Sequence, residues 1–171
     1  MSYSASIRID AMHGLSAEAF NQVMSEGLNT LAQIIHKELL SRIDSGESGW
    51  PPLSQVTKWL KGSDQMLVDS GDFRKAIEYT VDGNKAYIGI LNPRGSKDQD
   101  MELIARVIEG GAVIPVTPKM RGWFAAKGHP LRLSTVAIVI PARPVFAPSL
   151  TALDDRIEEV FSPLLDREGV A

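Results

Sequence analysis

Between Ser16 and Gly46, the apolar residues Phe20, Val23, Met24, Leu28, Leu31, Ile34, Ile35, Leu39 and Ile43 recur at steps of three and four. That spacing places them on one stripe of a helix. Ser16 is suited to cap the N-terminus, and Gly46 marks the stop. A helix of about 28 residues would be ~40 Å long, more than a small domain strictly needs. Gly27 lies inside it at a cost of up to ~1 kcal/mol, so the position predicts a bend or a close backbone contact.

The other segments are short. Tyr3–Ile9 alternates weakly and reads as a strand. Residues 46–62, rich in Gly, Ser and Pro, read as a mobile loop with a helical turn near Ser54–Leu60. Asp69–Ile77 reads as a short helix or an extended lead into a hairpin, whose strands are Glu78–Val81 and Lys85–Leu91 around Asp82-Gly83-Asn84. A second mobile loop, 92–100, precedes a helix at Met101–Ile108 that Gly110-Gly111 ends. Ala112–Val116 reads as a strand. Thr117 then caps a helix with Pro118 at its first position, running to Gly128. Leu131–Ile140 is the last expected strand, and Asp154–Leu165 the last helix, interrupted or reshaped at Pro163. This order describes one α+β domain over residues 1–171: a mainly antiparallel sheet of about 4–5 strands packed against a long N-terminal helix and a C-terminal helix.

The net charge of −3 gives no reason to expect a dedicated nucleic-acid binder. The absence of cysteine excludes a disulfide framework, a thiolate nucleophile and a zinc–thiolate site. No apolar run approaches the roughly 18 residues of a membrane span, and the first residues lack a basic and an apolar leader segment. The expectation is a cytoplasmic protein with no membrane partner.

The charge is unevenly placed. Gly110–Leu153 contains no Asp or Glu but carries Lys119, Arg121, Lys127, Arg132 and Arg143, while the remainder holds 13 basic and all 21 acidic residues. A chain so polarised suits contact with something acidic on one side and something basic on another.

Motifs for chemistry are missing. His13, His36 and His129 lack metal-site spacing, and Ser48 lacks the flanks of a nucleophile elbow. Gly95-Ser96-Lys97 lacks the upstream strand and glycine of a phosphate loop. Asp154, Asp155, Glu158 and Glu159 read as a solvated face at a helix start, where the dipole favours negative charge. No catalytic residue, cofactor or metal is expected.

Trp123 and Phe124 beside Lys119, Met120 and Arg121 fit an aromatic and basic interface anchor, and they also resemble the mixture used on single-stranded nucleic acid. Arg143 stands between two prolines in Pro141-Ala142-Arg143-Pro144, with Phe146 following. Pro141 ends strand pairing and Pro144 holds Arg143 extended. Its guanidinium has two candidate partners: carboxylates such as Glu158 or Glu159 of a neighbouring copy, or carbonyls within its own chain.

Four stretches in order and spacing resemble the tail-completion or virion-morphogenesis proteins of tailed bacteriophages. They are Trp50-Pro51-Pro52-Leu53 with Thr57; Leu67-Val68-Asp69-Ser70-Gly71-Asp72-Phe73 with Ile77 and then Ile88-Gly89; Ala105-Arg106-Val107-Ile108-Glu109-Gly110-Gly111, running on to Val116-Thr117-Pro118-Lys119-Met120-Arg121; and Ile140-Pro141-Ala142-Arg143-Pro144 with Phe146. Ile108 stands where the family often has histidine, and Gly110 where it has an aromatic. The resemblance covers about residues 48–150.

It implies a non-catalytic virion protein of the neck or tail terminus, assembled in the host cytoplasm. Copies would form a ring, a hexamer or dodecamer, that completes the tail and helps join it to the head. Its partners would be other neck, connector or tail-tube proteins, with genomic DNA passing non-specifically. Heterologous ring contacts need two different complementary patches, and the polarised chain offers them. Two other classes remain open: an adaptor whose basic stretch contacts DNA in the portal or neck channel, and a small hydrolase with an unrecognised site.

Overall fold

The computed structural model describes residues 14–46, 49–67, 69–151 and 153–169, and for Asp154 the backbone. The expected strand at Tyr3–Ile9, together with His13 and Ser48, lies outside the described residues. The chain is α+β, with a long N-terminal helix and a C-terminal helix.

The apolar stripe becomes helix α1, Ala17–Ser45, of 29 residues. Ser16 Oγ accepts from Ala19 N–H at 3.1 Å, and Gly46 N–H closes the last turn on Arg42 O at 2.9 Å. Val23, Leu28, Leu31, Ala32, Ile35, Leu39 and Ile43 are buried along one face. Against that face packs an antiparallel ribbon of β1 (Ile77–Asp82) and β2 (Lys85–Ile90), in register from Ile77 opposite Ile90 to Asp82 opposite Lys85. Ile77, Val81, Ala86, Ile88 and Ile90 join the α1 core, while Glu78, Thr80, Asp82, Lys85 and Tyr87 face solvent. His36 of α1 donates from Nε2 to Ile77 O at 3.0 Å and lies against the Tyr79 ring.

Between these lie α2, Gln55–Lys61, and α3, Asp72–Ala76. The helical turn expected near Ser54–Leu60 is α2, with Ser54 Oγ accepting from Thr57 N–H at 3.1 Å. After the ribbon, loop 92–100 is bracketed by an Arg94–Asp100 bridge and by Ser96 N–H donating to the Asp72 carboxylate at 3.0 Å. The Ser96 hydroxyl donates to the same carboxylate and, with the Ser70 hydroxyl, holds Asp72 below the usual carboxylate range. Helix α4, Met101–Gly110, follows, capped by Asp100.

The chain ends in α6, Phe146–Thr151, and α7, Leu153–Arg167. Helix α6 had no counterpart in the sequence reading. Helix α7 also runs unbroken through Pro163, contrary to expectation. A mid-helix proline costs ~3 kcal/mol. Here Val160 and Phe161 before it and Leu164 and Leu165 after it all pack on the α1 core, which offsets that cost. Ion pairs tie α7 to α1: Arg156 to Glu38 at 2.7 Å and Arg167 to Glu26 at 2.9 Å.

Gly27 is the point of closest approach, because a Cβ there would overlap the Phe161 ring. The close contact expected at this position is present. Gly27→Ala is expected to destabilise by roughly 1–2 kcal/mol in urea unfolding, since overpacking outweighs the gain in helix propensity. Phe161→Leu in the same chain should recover part of that loss.

The expected 4–5-stranded sheet does not form. Among the described residues there are two separate two-stranded antiparallel ribbons, β1–β2 and a second one formed by β3 (Ala112–Pro115) and β4 (Ala137–Ile140). The last strand is four residues rather than the expected Leu131–Ile140. Residues 132–135 form a loop instead, with the carbonyls of Arg132, Leu133 and Thr135 taken by Arg121.

Candidate assembly surface

The second ribbon belongs to an arm that runs from Gly111 to Pro144. Gly111 has φ +71°, and a Cβ there would meet Ile140 O at 2.8 Å and Ala142 N at 2.9 Å, so a glycine is needed where the arm leaves the body. Within the arm, Thr117 Oγ1 accepts from Met120 N–H at 3.2 Å and starts α5, Pro118–Ala126, with Pro118 in its first turn. Arg121 of α5 donates to three carbonyls: Arg132 O at 2.9 Å, Leu133 O at 3.3 Å and Thr135 O at 2.6 Å. This clamp, with a turn from Thr135 N–H to Arg132 O, holds residues 132–135 as a loop. The carbonyls an extended strand would offer to a sheet are spent on one guanidinium.

The ribbon pairs Ala112 with Ile140, Val113 with Val139, Ile114 with Ile138 and Pro115 with Ala137. Val113 and Val139 stand opposite each other and are each 68% exposed; Val136 just before β4 is 76% exposed. Among the described residues, neither strand packs substantially on any element but the other. A lone two-stranded ribbon is marginal in water without a covered apolar face. Two contacts steady the arm: Phe124 is buried, with Trp123 edge-on to it at 5.0 Å, and the His129 ring lies tilted against Trp59 of α2 at 3.8 Å.

A polar junction fixes the arm to the body. Arg143 is 7% exposed and donates to Pro51 O from Nε at 3.2 Å and from Nη2 at 2.9 Å, with Pro52 O at 3.4 Å. Burial holds its guanidinium below the ordinary arginine value. Its backbone N–H donates to Ile108 O at 2.7 Å. One residue later in α4, the Glu109 carboxylate accepts from three successive amides: Val145 at 2.9 Å, Phe146 at 3.1 Å and Ala147 at 2.8 Å. Those N–H groups begin α6, so Glu109 is its N-terminal cap. Arg42 of α1 donates to the buried Ser149 of the same helix at 3.2 Å.

The structure therefore separates the residues that the sequence grouped. Lys119 and Trp123 are exposed on α5 and Met120 is half-buried; Arg121 and Phe124 hold the arm together internally. Arg143 bonds to carbonyls of its own chain, the second of the two partners the sequence allowed. Phe146 is half-buried against the main core. Glu158 and Glu159 are exposed on α7, and Glu159 pairs with Arg156 at 2.8 Å. Among the described residues, no ion pair joins either glutamate to the arm. Lys119, Lys127 and Arg132 are the arm cations that face solvent.

Glu109 and the Pro51 and Pro52 carbonyls were missed by sequence reasoning. One signal was present: an acidic residue in the last turn of a helix opposes the dipole, so Glu109 needed a partner outside α4. Among the described residues, no group of three or more His, Cys, Asp or Glu side chains could hold a metal, and no helix is long and apolar enough to cross a membrane. These features define an α+β body bearing a basic, acid-free arm with a bare apolar ribbon. No protein-family model, curated protein or solved structure matches the chain.

Proposed function

We propose that the chain is a structural virion protein of the neck or tail terminus of a tailed phage, without catalysis. Copies form a homo-oligomeric ring that completes the tail and helps join it to the head. The observation that carries this reading is the β3–β4 ribbon, whose Val113 and Val139 face is exposed and is not covered by the described residues. Large exposed apolar surface of this kind marks a contact site, and burying a valine contributes roughly 1.5–3 kcal/mol. The resemblance to tail-completion proteins supports the rest, because three of its four stretches meet at one junction: Pro51 and Pro52, Ile108 and Glu109, and Arg143 to Phe146.

Light scattering of the purified chain tests it. The wild type is expected to form a closed multimer, and Val113→Asp with Val139→Asp to give a folded monomer of unchanged circular dichroism, since both positions are exposed. A wild-type monomer at high concentration would refute the reading.

The DNA-adaptor alternative rests on Trp123 beside the solvent-facing Lys119, Lys127 and Arg132. With Arg121 and Arg143 engaged on carbonyls, the surface presented to a phosphate backbone is modest. A strong, salt-dependent gel shift on duplex DNA would favour that alternative instead.

A further inference from the structure

We propose that the β3–β4 ribbon of one copy seats in the groove between the first half of α1 and the β1–β2 turn of a second copy, adding β4 to the edge of β1 that no described strand pairs with. This contact rests on the ring reading above and gives it a specific geometry.

Backbone parity selects the edges. Val116 N–H donates to Val136 O at 2.8 Å, so in the alternating antiparallel pattern Ala137 and Val139 point their N–H and C=O groups away from β3. The outer edge of β3 is interrupted by Pro115, which has no N–H, leaving β4 as the better pairing edge. In the other ribbon the two-residue turn Gly83-Asn84 makes Asp82 and Lys85 the closing bonded pair, so Ile77, Tyr79 and Val81 direct their backbone groups outward. The bond from His36 to Ile77 O agrees with that parity. Tyr79 and Val81 remain to receive a strand.

The same parity settles where the side chains go. The outward-bonding residues of β1 are those whose side chains face α1, and residues paired across strands share a face. A β4 strand added there lays Val139, and Val113 opposite it, on the α1 side of the second copy. That side has space: a groove of about 700 Å³ is lined by Phe20, Met24 and Asn29 of α1 and by Val81, Gly83 and Asn84 at the hairpin turn. Phe20 is itself 37% exposed. Two bare valines would thus meet a partly bare phenylalanine and methionine.

Charge agrees with the fit. From Gly14 to His36, α1 and its lead-in carry Glu18 and Glu26, the latter paired with Arg167 of α7, and no Lys or Arg, while the arm carries no Asp or Glu. Asp82 stands beside the groove, with Lys85 across from it. Docking is heterologous, since arm and groove are different surfaces, so it propagates around a ring. It also joins two ribbons into a four-stranded antiparallel sheet that one chain does not form.

The cysteine-free chain gives a clean test. Met24→Cys and Val139→Cys, combined in the full chain and treated with a short bis-maleimide, should give a ladder of linked multimers on a denaturing gel, with neither single variant giving one. Dimers from Val139→Cys by itself would mean that β4 pairs with β4, and would overturn the proposal. A multimer in solution without a ladder would overturn this contact while leaving the ring reading standing. A protein that stays monomeric would overturn both.

Discussion

Arg143→Glu is expected to lose about 3–5 kcal/mol of folding stability and to melt about 10 °C below the wild type. Two contributions add. The guanidinium's charge-assisted bonds to the Pro51 and Pro52 carbonyls disappear, so Pro51 O loses both of the donors Arg143 gives it and its junction with the arm is undone. The introduced carboxylate would then face the negative ends of those carbonyl dipoles. Arg143→Lys should recover less than half of the loss, because an ammonium lacks the planar fork that reaches a carbonyl from Nε and Nη2 together. Differential scanning calorimetry at a concentration that keeps the assembly state fixed reads the effect. An Arg143→Glu chain that melts like the wild type yet fails to assemble would place the arginine's partner in a neighbouring copy.

Glu109→Ala should cost about 2–4 kcal/mol, because three backbone donors at the start of α6 lose one shared acceptor. Helix α6 has six residues and cannot sustain itself by propagation. Its fraying would release Ser149 from Arg42 and loosen the approach to α7. Hydrogen exchange is the direct readout: the amides of Val145, Phe146 and Ala147 should lose protection first. Glu109→Gln keeps one acceptor oxygen and should fall about midway. Full protection of these amides in Glu109→Ala would mean that water or another group caps the helix.

Local chemistry was legible in the sequence where one segment determines itself. The three- and four-residue spacing from Phe20 to Ile43 specified α1, and Ser16 and Thr117 cap the helices expected of them. The first hairpin was legible in position but not in register: the expected turn Asp82-Gly83-Asn84 is the two-residue Gly83-Asn84, with Asp82 paired to Lys85. Sheet partnership was not legible, because alternation marks a strand without naming its neighbour. Leu131–Thr135 carries no sign that Arg121, on a separate helix, will take its carbonyls. Helix α6 was hidden because its cap, Glu109, lies 36 to 38 residues upstream of the amides it receives. Arg143 shows the same limit. Flanking prolines gave its stiffness, but its acceptors lie 91 and 92 residues earlier in the chain.

If the exposed arm closes copies of this chain into a ring, electron microscopy of the purified full chain will show end-on class averages of closed rings with one rotational symmetry, six-fold or twelve-fold, that vanish in the Val113→Asp, Val139→Asp variant. Isolated particles of monomer size, or rings that persist unchanged in that variant, would contradict it.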